Sequence, residues 1–278
     1  VRYIAFISLA IFLAGMKASP CHGETNAPVI IHIGVLAHLG KERCLSDWNP
    51  MAEYLNEKLS GYKFEIIPCN FQEIDSLARK HEIDFMLANA AIYVEMEVDY
   101  GLHRIATMIS YRGELACNHS HGAILCLATN NSVKQLPDLK HKTIAAVEKN
   151  SFGGYAMQAR ELKLAGINPK HDIAIIDFTG NHDKVLEDVL NGKADAGFIR
   201  ADILEETVRK NGIQRELLHI LKAPPVADKR HQHHSYQYST RAYPSWPIAV
   251  IPGVSQELAR QVAIALFLME PDSKAATA

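Results

Sequence analysis

Apolar positions along this chain follow two alternating patterns. Short aliphatic runs are succeeded by stretches in which apolar residues return every three or four positions, so buried strands alternate with amphipathic helices. Val29 to Leu36 reads as a buried first strand. Asn49-Pro50 then starts a helix, with Asn as N-cap and Pro in the first position, and Gly61 closes it. Lys63 to Pro68 is the next strand, and Asn70 with Glu73 forms a capping box for the helix after it. Ile83 to Ala88 is a strand and Ala90 to Tyr100 a helix ended by Gly101. His103 to Tyr111 and Gly122 to Thr129 read as longer strands joined by a polar turn.

A second set follows. Thr143 to Val147, Ile173 to Phe178 and Ala194 to Ile199 are strands. Between and after them run helices from Gly153-Gly154 to Gly166, from Asn181 to Gly192, and from Ile203 to Asn211. Pro247 to Ile251 is a strand, and Leu258, Val262, Leu266 and Met269 mark one face of a last helix from Ser255 to Met269. Two βαβ sets separated by long strands predict two α/β lobes with a hinge at the 103–111 and 247–251 neighbourhoods and a cleft between.

Composition adds compartment and excludes partners. The 278 residues carry a net charge of −2 with both signs interspersed, so nothing advertises nucleic acid. Arg2, the apolar stretch Tyr3 to Gly15 and the small residues up to Ala18 or Gly23 read as a secretory signal over residues 1–23, too short to span a bilayer. Cys44, Cys69, Cys117 and Cys126 remain beyond it, either as two disulfides or as buried thiols; Cys117 and Cys126 flank a turn and are placed to face each other.

In open α/β sheets, ligands sit beyond the carboxyl ends of strands. Four turns meet that rule. Glu148 to Gly154 carries Ser151, Gly153 and Gly154 at a helix start, where free N–H groups and the dipole favour an anion. Asn89 to Tyr93 and Thr179 to His182 are similar turns, and Arg200 follows a strand with a guanidinium suited to a planar oxyanion. The loop histidines His231, His233 and His234, and the pair His119 and His121, read as solvated side chains rather than a metal site. No nucleophile elbow, zinc motif or nucleotide fingerprint occurs, so binding without catalysis, cofactor or metal is expected.

Asn89-Ala90-Ala91-Ile92-Tyr93, Leu136 to Lys140, Ser151-Phe152-Gly153-Gly154 and His182 followed by Val185 to Ala196 resemble the phosphate/phosphite/phosphonate-binding periplasmic proteins, over roughly Ile30 to Met269. Tyr111 to Glu114, Gly197 to Glu205 and Tyr238 to Pro247 are similar to one branch, the periplasmic sensor region of tetrathionate-sensing histidine kinases. The resemblance implies an α/β type II periplasmic-binding-protein fold, with residues 29–111 plus 245–278 as one lobe and 112–244 as the other. It implies that the Tyr93 turn meets ligand from the first lobe, that Ser151, Gly153 and Gly154 meet the anion from the second, and that His182 faces it. It implies a periplasmic domain partnered by an inner-membrane kinase or, as the alternative, by a transporter permease. The family continues with a segment completing the first lobe, so a fragment or shortened paralogue is expected. The Ser-Phe-Gly-Gly cradle has fewer hydroxyls than the Ser-Thr-Ser-Gly type of phosphonate binders, which favours a larger or softer anion such as a sulfur oxyanion.

Overall fold

The computed structural model describes residues 27–112, 115–117, 119–210, 212–222 and 236–277. The signal segment, Cys21 and the histidines at 231, 233 and 234 lie outside them, as does the Cys117 side chain.

In chain order the first unit is β1 (Val29–Leu36), α1 (Lys41–Lys58), β2 (Tyr62–Cys69), α2 (Glu73–Arg79), β3 (Phe85–Leu87), α3 (Ala90–Tyr100) and β4 (His103–Thr107). Short strands β5 (Ser110–Arg112), β6 (Leu115–Cys117) and β7 (His119–Ser120) lead to β8 (Gly122–Leu127). Then come β9 (Thr143–Ala146), α4 (Met157–Leu164), β10 (Ile175–Phe178), α5 (His182–Leu190), β11 (Ala196–Arg200), α6 (Ala201–Lys210) and β12 (Leu218–Ile220). The chain returns through β13 (Tyr243–Pro244) to β14 (Pro247–Val250), α7 (Gln256–Phe267) and α8 (Lys274–Thr277).

Two five-stranded sheets result, ordered β2-β1-β3-β14-β4 and β10-β9-β11-β8-β12. Each has three parallel strands and then one antiparallel strand, β14 or β8, contributed from the far side of a crossing. Each sheet buries both faces under helices, which explains the near-continuous aliphatic runs of β1 and β8. One apolar cluster surrounds the first sheet, and two flank the second. Phe71 and Leu39, from the first unit, also pack against a cluster of the second.

The expected hinge strands sit differently. β4 and β14 pair with each other inside the first sheet, and the 103–111 strand breaks after Thr107, where Met108 N–H bonds the Trp246 carbonyl. The two crossings lie just beyond them and pair with one another: Tyr243 opposes Ser120 and Pro244 opposes His119. Ser239 and Thr240 then zip onto the start of β8, with Thr240 Oγ1 accepting from Gly122 N and Ser239 Oγ from Ile124 N. His121, read from sequence as solvated, is 2 % exposed and stacks on Tyr238 at 4.1 Å.

Helix α1 begins at Lys41, eight residues before the expected Asn49, and Pro50 lies inside it. The Asn-Pro pair mimics a start signal, but Cys44, Met51, Ala52 and Leu55 form one buried face that carries the helix through the missing proline hydrogen bond. The capping box at Asn70 and Glu73 is present, each side chain accepting from the other's backbone N–H at 2.8 and 2.9 Å. Cys44, Cys69 and Cys126 are free thiols, so the suggested Cys117–Cys126 pairing does not form; Cys126 points into the core from a central strand. Burial pushes the Cys126 thiol up to about 12.

Arg241, in the return crossing, clasps Glu161 of α4 with Nε at 2.8 Å and Nη2 at 3.3 Å. Glu161 is 1 % exposed, and the clasp gives this buried carboxylate its ion-pair partner. Arg241→Ala strands a buried carboxylate and is expected to cost about 2–4 kcal/mol in urea denaturation. The double variant Arg241→Ala, Glu161→Gln should recover much of the loss. A double variant as unstable as the single would show that the ion pair does not hold the crossing to the lobe.

Candidate ligand-binding site

The carboxyl ends of β1, β3, β9 and β11 converge on a pocket of about 20 Å³ between the two sheets. From the first unit it is lined by Leu36, His38, Phe71, Asn89 and Trp246. From the second it is lined by Ser120, Ser151, Phe152, Gly153, Met157, His182 and Arg200. The lobes touch around it: Asn150 Nδ2 donates to the Phe71 carbonyl at 3.3 Å, and Arg43 lies 3.8 Å from Glu206.

Five of the seven residues singled out from sequence therefore share one pocket. Asn89 is the N-cap of α3, its Oδ1 accepting from Ala91 N and Ile92 N, which leaves the amide NH2 as its donor toward the pocket. Ser151 caps the next helix, its Oγ accepting from Gly154 N at 3.2 Å. That helix opens with a π-turn over Phe152–Ala156, in which Ala156 N–H reaches back to the Ser151 carbonyl. The wide turn carries Gly153 into the pocket, where its N–H has no acceptor within the helix. Gln158, wholly buried, fixes the turn: its Nε2 donates to the Gly153 carbonyl at 2.7 Å and to Ile199 of β11 at 3.0 Å.

The other two fall elsewhere. Gly154 has its N–H committed to Ser151, and a Cβ there would come 2.3 Å from Val147, so it serves packing of the turn on β9. Tyr93 turns its hydroxyl to Glu97 at 2.5 Å and lies outside the pocket lining.

Arg200, at the end of β11, donates through Nε to Asp202 at 2.7 Å, both side chains largely shielded. Its guanidinium lies 6.0 Å from the Trp246 ring of the other lobe. Its stem rests on Gly153: a Cβ at that position would come 2.8 Å from both Cβ and Cγ of Arg200. The glycine thus makes room for the arginine, a different reason from close approach of a ligand.

His38 and His182 meet across the cleft edge to face, 6.4 Å apart, with Trp246 at 4.9 Å from His38. Nε2 of His38 and Nδ1 of His182 are buried without a partner. Burial, with Arg200 nearby, lowers His38 to about 3; burial, with His38 and Arg200 beside it, holds His182 well below the usual range. Both rings are neutral at pH 7. His38 escaped the sequence reading, although it lies two residues past the end of β1, where the rule used for the other turns applies equally.

A family model for the periplasmic substrate-binding protein of phosphonate ABC transporters matches residues 33–278. The chain is 28 % identical over 249 residues to the tetrathionate sensor histidine kinase TtrS of Salmonella typhimurium, covering 89 % of this chain and 40 % of that relative. Among solved structures it resembles PhnD1 of Prochlorococcus marinus in complex with methylphosphonate, with TM-score 0.70, 15 % identity, and 90 % and 88 % of the two chains covered. It also resembles a binding protein component of an ABC phosphonate transporter from Pseudomonas aeruginosa, with TM-score 0.64, 13 % identity, and 84 % and 72 % covered. The two-lobe architecture is that of these proteins.

The buried imidazoles set an acid limit. Each binds a proton in the unfolded chain below about pH 6.5 but stays neutral when folded, so stability is full above that value and falls as pH drops. The expected loss is up to about 1.4 kcal/mol per pH unit for each ring. Urea denaturation between about pH 6.5 and 5, above the carboxylate range, should show a slope that flattens in His38→Gln, His182→Gln. An unchanged slope would place the acid sensitivity elsewhere.

Proposed function

We propose that this chain, which belongs to the family of periplasmic substrate-binding proteins of phosphonate ABC transporters, is an exported sensor domain whose lobes close on a small inorganic oxyanion, a sulfur oxyanion above phosphate. The observation that carries the reading is the pocket itself: Arg200, Ser151, the free N–H of a π-turn and two imidazoles converge there from both lobes. Neither lobe alone desolvates an anion, so binding energy is available mainly in the closed form and the ligand shifts the hinge equilibrium toward it. The lobes are taken as residues 29–111 plus 245–278 and residues 112–244.

Phe152 and Trp246 make the pocket walls more apolar than a phosphate cradle needs, which supports a softer anion. The likeness to TtrS supports an inner-membrane kinase as the partner that reads the closure. The chain spans 40 % of that relative's length, so the kinase link is part of this proposal. No helix among the described residues is long and apolar enough to cross a membrane. The second reading is a transporter's phosphonate-binding protein handing ligand to a permease, and the family model favours it.

Thermal shift against thiosulfate, tetrathionate, sulfite, phosphate and methylphosphonate separates the two. A ligand at 100 times its Kd adds about 2.7 kcal/mol, which raises Tm by roughly 5–10 °C for a chain of this size. A sulfur oxyanion should give the largest shift, and Arg200→Gln should abolish it. Gly153→Ala should weaken it by driving a methyl group into the Arg200 stem. A larger response to methylphosphonate would favour the transporter reading, and no response to any anion would reject both.

A further inference from the structure

The cavity between the lobes is small for a ligand site. Its volume is about 20 Å³, where a single water needs about 10–15 Å³ on the same measure. An oxyanion built on one central atom fits such a space, because its oxygens crowd around that atom more closely than neighbouring waters pack. A chain of linked centres, with oxygens at both ends, does not.

Among the described residues, each wall of the cavity is held in place. Leu36, at the end of β1, is buried in the core of the first unit, and Met157, at the start of α4, is almost fully buried. On one side the Arg200 stem rests on Gly153, where a Cβ would meet it at 2.8 Å. Gln158 ties the Gly153 carbonyl to that of Ile199. On the other side Trp246 packs on His38 at 4.9 Å, and its carbonyl accepts from Met108 N–H. At the mouth Asn150 Nδ2 bonds the Phe71 carbonyl. Walls packed in this way give room only by moving whole elements. A longer ligand is therefore housed only with the lobes apart and the Asn150 contact broken.

We propose that, with the lobes in contact, the cleft selects anions by length: it admits an oxyanion built on one central atom and rejects anions built as chains, tetrathionate included. This deepens the oxyanion reading and rests on it. The lining narrows the class further. The Asn89 amide, the Ser151 hydroxyl, the Gly153 N–H and the Arg200 guanidinium are donors suited to oxygen atoms. Leu36, Phe152 and Trp246 present apolar surface that suits a substituent accepting no strong hydrogen bond. Thiosulfate, a central sulfur bearing oxygens and a single soft terminal sulfur, meets both demands.

Phe152 from one lobe and Trp246 from the other are then specificity-determining residues, because their rings are the large apolar side chains that bound the cavity from opposite lobes. Charge does not separate the candidates. Thiosulfate, dithionate and tetrathionate are all dianions, so the three vary length at fixed charge. Dithionate, unlike tetrathionate, does not oxidise thiols, so it reads length without reaction at Cys44, Cys69 or Cys126.

Calorimetry on the full chain at matched ionic strength tests this, with thiosulfate, phosphate and methylphosphonate as one-centre anions and dithionate and tetrathionate as chains. The tightest of the one-centre anions, thiosulfate by expectation, should bind at least about tenfold more tightly than either chain. Phe152→Ala and Trp246→Ala each lengthen the cavity, and each should lower the preference over dithionate by about threefold or more, with folding checked by thermal melting. The comparison on the unaltered chain stands even where a variant fails to fold. Binding of dithionate or tetrathionate within about tenfold of the best one-centre anion, or tighter, would overturn the length selection and leave the oxyanion reading intact. A preference unchanged in folded variants would overturn the role given to the two rings. Failure of all five anions to bind would overturn the oxyanion reading beneath the proposal.

Discussion

The cleft is organised around the Arg200 side chain. It leaves the end of β11 over a glycine, pairs with Asp202 at the start of α6, and presents its guanidinium to Trp246 across the gap. Remove any of the three and the arginine has no fixed position: a Cβ at Gly153 collides with its stem, not with the mobile tip, so the strand end itself must shift. Gln158 makes the arrangement rigid by tying the π-turn under Gly153 to the Ile199 carbonyl, one residue before the arginine. A fixed guanidinium held this way loses little freedom when it meets a ligand, which is how preorganisation raises affinity.

The rest of the fold serves to bring that group against the opposite lobe. The two crossings are paired as β7 and β13 and locked onto β8 and α4, so they define a narrow hinge and not a loose linker. Phe152 of the π-turn packs edge to face on Tyr243 of the return crossing at 5.0 Å, with Arg160 near the same ring. The turn that lines the pocket therefore touches the hinge directly, giving a physical route by which occupancy of one biases the geometry of the other.

Much of this was legible in the sequence, for reasons that can be stated. Helix α3 matches the reading of Ala90 to Tyr100 because Gly101 closes it in the left-handed conformation; the Asn89 cap at its start is a signal the reading did not use. The strand-end rule placed Asn89, Ser151, Gly153, His182 and Arg200 in one pocket, since parallel topology leaves strand ends nowhere else to point. The Asn49-Pro50 signal misled because local capping preference is worth about 1 kcal/mol, less than burying the face that includes Met51 and Leu55. The resemblance set Tyr93 at the ligand, whereas its hydroxyl turns to Glu97 one turn on and the residue lies outside the pocket lining. Trp246 and Phe71 reach the pocket from segments distant in sequence, and no local pattern announces such contacts.

The central claim is that anion binding draws the two lobes together. Two contacts cross the mouth, Asn150 to Phe71 and Arg43 to Glu206, as the proposed closed form requires. Small-angle scattering from the purified domain, recorded with and without saturating thiosulfate and in the presence of a matched chloride control, measures this directly. The account predicts a smaller radius of gyration on binding, with the bound curve matching the closed form. An identical radius at full occupancy would contradict it and leave a rigid pocket in place of a hinge.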